Sequence, residues 1–161
     1  MLLVLPPSRG QTSGPVGSSA LDLAALGLLG LTEQRSRLVQ ALAGAEHDPA
    51  GLPTAPAAQV FTGVLFAAAD LPRVLRGTAS GERARRSLLV ASPLLGMVGP
   101  ADPVPASRLR MGTVPGVGAL GPFWRRGLES VLAERVDGDL VVDARSSEFA
   151  TLWRPPASAS R

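Results

Sequence analysis

The chain of 161 residues contains no cysteine, lysine, tyrosine, asparagine or isoleucine, and it has a single histidine, His47. The absence of cysteine excludes disulfides, thiolate chemistry and cysteine-ligated zinc. One histidine cannot form a multi-histidine metal site, and its Pro/Gly-rich surroundings offer nothing to orient it in a Ser-His-Asp triad. We therefore expect no metal site and no catalytic residue of these classes.

All of the positively charged side chains are arginines. All 16 basic residues are arginines, against 13 acidic residues, so the formal net charge is only +3. The pI of about 11.2 follows because almost nothing titrates between the histidine and the arginines. The pI alone therefore does not predict nucleic-acid binding. Because arginine also takes the place of lysine here, each arginine is weaker evidence for bidentate anion recognition than usual.

No part of the sequence predicts a leader peptide or a membrane span. Residues 1–5 are too short for the apolar core of a signal peptide and lack a basic flank. The apolar stretch at residues 20–31 is only twelve residues long and contains Asp22. We therefore expect a cytoplasmic protein without a membrane partner, and the length is that of one domain.

Apolar patterns and turn residues predict short elements. Helices are expected at residues 32–43 with Thr32 as the cap, within 59–69 after a break at Thr62-Gly63, at 82–86, at 122–135 and, capped by Ser146, up to residue 153. Strands are expected at Leu2–Leu5 and at residues 87–92, 107–111 and 140–143, whereas residues 8–19, 44–56 and 96–105 are expected to be loops. This order predicts an α+β fold, a mixed sheet with surrounding short helices in a single domain over residues 1–154, followed by a disordered tail at 155–161.

Residues 102–112 form the most informative segment of the chain. Two prolines fix its approach, because each ring locks φ and removes a hydrogen-bond donor. Arg108 and Arg110 follow at a spacing of two, so in an extended chain both guanidinium groups lie on one face, with Leu109 and Met111 on the other. Such a pair suits a phosphate or a carboxylate. A half-buried strand with two solvated arginines is the alternative, and these residues alone favour it.

The loop after the first strand contains Ser8, Gln11 and Thr12 and could present amides and hydroxyls to an anion. It is not a P-loop, because Gln11 stands where a lysine would be needed. A plain connector is the favoured alternative. Residues 114–118 resemble the hairpin of a helix-hairpin-helix module, whose glycine amides contact a DNA phosphate, but the helix before them is missing and a simple turn is the alternative.

Further arginines could complete a basic cleft. Arg125 and Arg126 lie in the first turns of the helix expected at residues 122–135, and three more arginines lie on the helix near residue 85. Such clusters are more often solvated faces of helices.

A polar cluster follows the last expected strand and contains Asp143, Ser146 and Glu148. Two carboxylates could act in hydrolysis, but their spacing is not diagnostic. Capping of a short helix by Ser146, with Glu148 near its N-terminus, is favoured.

Five blocks, in order along the chain, resemble the peroxide stress protein YaaA family. They are residues 5–8 with Thr12; residues 60–63; residues 92–100 with Asp102; residues 107–112; and Phe123-Trp124 followed by residues 143–149. The resemblance marks the following motif residues: Ser8, Thr12, Thr62, Gly63, Ser92, Asp102, Arg108, Met111, Gly112, Trp124, Ser146 and Glu148.

The resemblance implies a non-enzymatic bacterial protein that limits oxidative damage, binds DNA and has a positively charged cleft. The chain departs from the family pattern at four positions, where Gln11, Leu95, Gly99 and Ser107 replace a lysine, an aromatic residue, an arginine and a tyrosine. The connection at residues 44–56 also looks shortened, so the domain is expected to be smaller than in the family.

The resulting hypothesis is a peroxide-stress protein, without a cofactor, that binds DNA phosphates irrespective of sequence through Arg108, Arg110, Arg125 and Arg126. One alternative is a protein or enzyme that binds a small phosphate or carboxylate with the loop from Ser8 to Thr12 and Arg108. Another is an inactive remnant of the family.

Overall fold

The structure is a computed structural model that describes residues 1–136 and 138–156. Residues 155 and 156 are irregular, and the rest of the expected tail, 157–161, lies outside the described residues. The strands are β1 (Leu2–Leu5), β2 (Thr54–Pro56), β3 (Leu88–Ser92), β4 (Gly96–Val98), β5 (Pro103–Pro105), β6 (Thr113–Val114), β7 (Gly118–Ala119) and β8 (Val141–Asp143). The α-helices are α1 (Thr32–Leu42), α2 (Ala57–Val60), α3 (Val64–Ala69), α4 (Leu71–Arg76), α5 (Thr78–Ser87), α6 (Leu120–Val136) and α7 (Ser147–Ala150).

The main sheet has four strands in the order β4-β3-β1-β8. β1 is central and parallel to both of its neighbours, with Leu3 opposite Leu88 and Leu2 opposite Val141. β4 returns antiparallel to β3. The apolar run of β1 is buried because the strand is paired on both edges, as expected for a central parallel strand. The predicted mixed sheet with short helices is confirmed.

Residues 96–105 were expected to be a loop, and that prediction is wrong. They contain β4 and β5, and β5 pairs antiparallel with β2 so that Ala55 lies opposite Val104. Gly96, at φ 78°, ends the tight turn that brings β4 back along β3. The prolines at both ends of β5 are tolerated because this sheet has only two strands, so each strand has an unpaired edge.

Residues 107–111 were expected to be a strand, and this prediction is also wrong. Residues 106–112, which we call the arginine segment, follow β5 without pairing with another strand. Side chains hold the segment instead: the amide of Ser107 donates to Gln11 Oε1 at 2.7 Å, and the amide of Leu109 donates to Ser107 Oγ at 3.2 Å.

The helix at residues 122–135 is confirmed within α6, whose buried side includes Trp124, Leu128 and Leu132. α1 is confirmed as well, with Leu38 and Leu42 buried. Its expected cap is wrong, because Thr32 is the first helical residue and its hydroxyl donates to the carbonyl of Leu29 at 2.7 Å.

The break expected at Thr62-Gly63 is confirmed, with a helix on each side of it. α2 ends before Thr62, α3 begins after Gly63, and α4 then includes Pro72 in its first turn, where proline is compatible with a helix. The last helix is shorter than expected: α7 ends at Ala150, and the side chain of Ser146 makes no capping hydrogen bond.

Candidate functional site

The candidate site lies where the parallel strands end. β1, β3 and β8 run in the same direction, so the residues that follow them meet at one edge of the sheet. A cleft of about 320 Å³, which includes space open to solvent, lies at this edge beside the ends of β1 and β3. Pro7, Gln11, Ser92 and Pro93 line it from the sheet side, and Ser107 and Leu109 line it from the arginine segment.

Four motif residues meet beside this cleft. Ser8 is buried, and its hydroxyl donates to the carbonyl of Gly10 and accepts the amide of Gly63 at 2.8 Å. The two loops are also joined by backbone hydrogen bonds, from Thr62 to Gly10 at 2.9 Å and from Thr12 to Val60 at 2.9 Å. A Cβ on Gly63 would lie 2.7 Å from Ser8 Oγ, so the loops approach closely. The hydroxyl of Ser8 therefore joins two loops, which supports the interpretation of this segment as a connector.

Gln11 connects this loop to the arginine segment. Its Oε1 accepts the amide of Ser107 at 2.7 Å, while its Nε2 donates to the carbonyl of Ser8 at 3.1 Å. Arg108 and Arg110 are exposed, and among the described residues neither guanidinium has a hydrogen-bond or ion-pair partner. Leu109 and Met111 are half-buried against the core. The expected alternation of side chains is thus present, although the backbone is not a strand.

Three further motif residues support the walls of the cleft. Ser92 Oγ accepts the amide of Leu95 at 3.2 Å and shapes the turn after β3. Trp124 is fully buried, and its Nε1 donates to the carbonyl of Pro93 at 2.9 Å. The carbonyl of Gly112 accepts the amide of Leu120 at 2.9 Å, which links the end of the arginine segment to the start of α6.

The other candidate arginines lie in different surroundings. Arg125 is half-buried and donates through Nε and Nη2 to the carbonyl of Thr151, at 3.1 and 2.9 Å. Arg126 is exposed. Arg85 and Arg86 lie at the end of α5, directly before β3 begins, and so at the opposite edge of the sheet from the candidate cleft.

Asp102 is half-buried and is not part of the cleft lining. Its Oδ2 accepts the amide of Gly99 at 2.9 Å. Burial lowers the pKa of Arg35 to about 10, and the charge of Asp102 opposes this shift. Burial likewise lowers the pKa of Arg135, again opposed by Asp102. The carboxylate of Asp102 thus favours the charged form of Arg35, which is buried, and of Arg135, which is only partly buried.

Arg35 is a structural residue that the sequence reasoning missed. Its side chain is fully buried and donates to the carbonyls of Leu95 at 3.1 Å, Gly27 at 2.7 Å and Met97 at 2.9 Å. Arg35 therefore fixes the turn between β3 and β4, which forms one wall of the cleft. Arg35 lies three residues before Leu38 on α1, so both residues are on the buried side of that helix. This spacing is the signal from which its burial could have been predicted.

Arg145 was missed as well, and it alters the interpretation of the polar cluster after β8. Its guanidinium, buried beside Trp153, holds Asp143 through two hydrogen bonds of 2.8 and 2.7 Å. Ser146 and Glu148 are exposed and lie past β8, on the other side of β1 from β3. The expected capping by Ser146 is not formed, and a hydrolytic carboxylate pair has no support.

Residues 114–118 form the turn of a hairpin between β6 and β7, with Val114 opposite Gly118. The irregular arginine segment precedes this hairpin, so the helix-hairpin-helix interpretation is wrong and the simple turn is correct. Among residues 1–136 and 138–156 there is no cluster of three or more side chains suited to hold a metal ion. In the same part of the chain, none of the helices has the length and apolar character needed to cross a membrane.

The chain is similar to known proteins over most of its length. The sequence profile described as "Peroxide stress protein YaaA" matches residues 20–161. A UPF0246 protein of Streptomyces coelicolor is 37% identical over 180 aligned positions, which cover 96% of this chain and 68% of the relative. UPF0246 proteins from two strains of Corynebacterium glutamicum are each 32% identical over 178 positions, covering 96% of this chain and 70% of the relative. On these matches, the chain belongs to the peroxide stress protein YaaA family.

Proposed function

We propose that this member of the YaaA family acts in peroxide stress as a non-enzymatic DNA-binding protein, and that Arg108 and Arg110 make its main phosphate contacts. One observation carries the proposal: both guanidinium groups are exposed and have no partner among the described residues, on a segment that is itself held in place. An arginine already engaged in an internal ion pair has less to offer a phosphate.

Arg9 strengthens this proposal, although the sequence analysis did not single it out. It lies between Ser8 and Gly10 in the loop after β1, is exposed and has no partner among the described residues. Arg126 is also exposed, whereas Arg125 is already bonded to Thr151. We therefore rank Arg108 and Arg110 first, Arg9 and Arg126 next, and Arg125 last.

Phosphate contacts of this kind carry no sequence information, so binding should depend strongly on salt and little on base sequence. The test is a titration of labelled duplex DNA by fluorescence anisotropy over a series of salt concentrations. Arg108→Ala and Arg110→Ala should each weaken binding about equally for all sequences and reduce the salt slope by about one. Arg83→Ala is the matched control, because Arg83 is exposed on α5, close to the opposite edge of the sheet.

Failure to bind duplex DNA at low salt would exclude the proposal. If Arg108→Ala and Arg83→Ala weaken DNA binding equally, the protein binds DNA but Arg108 is not a specific part of the contact surface.

The cleft itself favours a second candidate, a small phosphorylated or carboxylated ligand. Ser92, Gln11 and Ser107 place polar groups on an otherwise apolar lining, and Arg108 follows Ser107 at the rim. A thermal-shift screen of anionic metabolites separates the two candidates. A metabolite that binds the cleft and is present at a hundredfold excess over its Kd stabilises the fold by about 2.7 kcal/mol, so a raised melting temperature would favour the small-ligand candidate.

A further inference from the structure

Gln11 stands at the junction of three backbone segments. The antiparallel bridge between Gln11 and Phe61 fixes its main chain against the loop before α3. Its Nε2 is bonded to the carbonyl of Ser8, which leaves Oε1 directed at the amide of Ser107. The side-chain amide is therefore held at one end by its own loop and bonded at the other to the residue that precedes Arg108.

The arginine segment has few other restraints. Within residues 1–136 and 138–156 it has no strand partner, and its hydrogen bonds to the rest of the fold there are those from the amide of Ser107 to Gln11 and from the amide of Leu120 to the carbonyl of Gly112. Leu109 and Met111 add apolar contacts with the core. Loss of the hydrogen bond to Gln11 would leave the amino-terminal half of the segment tied only through β5 and these contacts.

We propose that Gln11 is a positioning residue that holds in place the segment carrying Arg108 and Arg110, beside the cleft. The effect of Gln11 on DNA rests on the proposed function, whereas its hydrogen bond to Ser107 does not. A neutral side chain here does not contact the phosphate; it limits the conformational freedom that the two arginines would otherwise lose on binding.

The first experiment measures hydrogen exchange at the amide of Ser107 by NMR and involves no DNA. Gln11→Met keeps the length of the side chain but removes both hydrogen bonds, so exchange at Ser107 should become about fivefold faster. Gln11→Glu keeps an acceptor for Ser107 but loses the donor to Ser8, so protection at Ser107 should fall between that in Gln11→Met and that in the natural protein. Gln40→Met is the control, because Gln40 is exposed on α1 and bonds only to Ser36 on the same helix.

The second experiment is a double-mutant cycle in the DNA titration. In the natural background, Arg108→Ala should lower affinity about tenfold near 0.1 M salt, as expected for one lost phosphate contact. In the Gln11→Met background the same change should cost about threefold or less, because the arginine is no longer held in place. Gln40→Met should leave the effect of Arg108→Ala unchanged.

The outcomes separate the two proposals. If Ser107 exchanges at the same rate in Gln11→Met and in the natural protein, or if the Gln11 and Arg108 substitutions are additive, the positioning role is wrong. If exchange at Ser107 responds as expected but neither the natural protein nor any variant binds DNA, the hydrogen bond from Ser107 to Gln11 restrains the segment and the proposed function fails. Should Gln11→Met not fold, Gln11→Ala takes its place, and unchanged protection of Ser107 in that variant overturns the proposal.

Discussion

Arg145 and Asp143 form a bidentate ion pair, in which Nε and Nη2 of the arginine lie 2.8 and 2.7 Å from the two carboxylate oxygens. The same guanidinium donates to the carbonyls of Phe149 at 3.0 Å and Trp153 at 2.7 Å. The arginine side chain is fully buried, whereas the aspartate is partly exposed. The pair therefore joins the end of β8 to the chain after α7.

Arg145→Met should destabilise the protein by about 2 kcal/mol, because two carbonyls lose their donor in the interior and the partly exposed Asp143 loses its partner. Urea denaturation followed by circular dichroism measures the change. Arg126→Met, on the exposed face of α6, should alter stability by less than about 0.5 kcal/mol. A similar loss in both variants would show that the Arg145 pair contributes little.

Arg35→Met should cost about 3 kcal/mol, since the carbonyls of Gly27, Leu95 and Met97 would be left without donors in the interior. Arg35→Lys should recover only part of this loss, because one ammonium group cannot replace the planar fork. Both variants are compared by urea denaturation. Full recovery by lysine would mean that the charge matters and the geometry does not.

Gly96→Ala should lower the free energy of unfolding by more than the strain of its positive φ alone would. At φ 78°, any side chain here is strained, and the added Cβ would also lie 2.8 Å from the ring of Trp124. We expect a loss of about 3 kcal/mol from strain and overpacking together.

Gly44→Ala is the matched control for Gly96→Ala. Its φ is 72°, but nothing lies within 4 Å of the added Cβ, so only the backbone cost of about 1 kcal/mol should remain. Equal losses in the two variants, measured by urea denaturation, would show that the ring of Trp124 moves aside without cost.

Asp48 should make stability depend on pH in the acid range. The amides of Gly44 and Ala50 donate to its two oxygens and lower the pKa of its carboxyl below the ordinary value of 3.8. A depressed pKa in the folded state adds stability above the ordinary pKa, and this stability is lost as pH falls through the folded value.

Asp48→Ala should therefore lower the melting temperature at pH 7, and the difference from the natural protein should shrink below about pH 3. Thermal melts at the two pH values measure it, with Glu46→Ala as the control for losing an exposed negative charge nearby. A difference that stays constant over this range would mean that the two amide bonds do not favour the charged form.

Local patterns were enough to predict the elements that form the frame. The apolar run of β1 and the helical spacing of Trp124, Leu128 and Leu132 are properties of short stretches, and both predictions are confirmed. The alternation in the arginine segment correctly predicted which side chains are exposed. It could not predict the backbone, because a strand requires a partner and none lies beside this segment.

The interactions that shape the cleft could not be predicted in the same way. Arg35 and Arg145 are buried because carbonyls from distant parts of the chain converge on them, and no local pattern encodes that convergence. Gln11 was noted only as a missing lysine, since its bond to Ser107 depends on how the loop after β1 packs against the segment after β5. β4 and β5 were missed because their glycines and prolines resemble those of a loop.

The pairing of β1 has a consequence for how the protein is made. Its partners are β3 and β8. Leu3 pairs with Leu88 and Leu2 pairs with Val141, so neither ladder can form until the later strand has been synthesised. During synthesis the apolar first strand emerges well before both partners and has no sheet to join. Long-range pairings of this kind fold slowly and leave apolar strands open to aggregation. We therefore expect β1 to stay unpaired in the nascent chain until β3 has been made, and to keep one unpaired edge until β8 has been made.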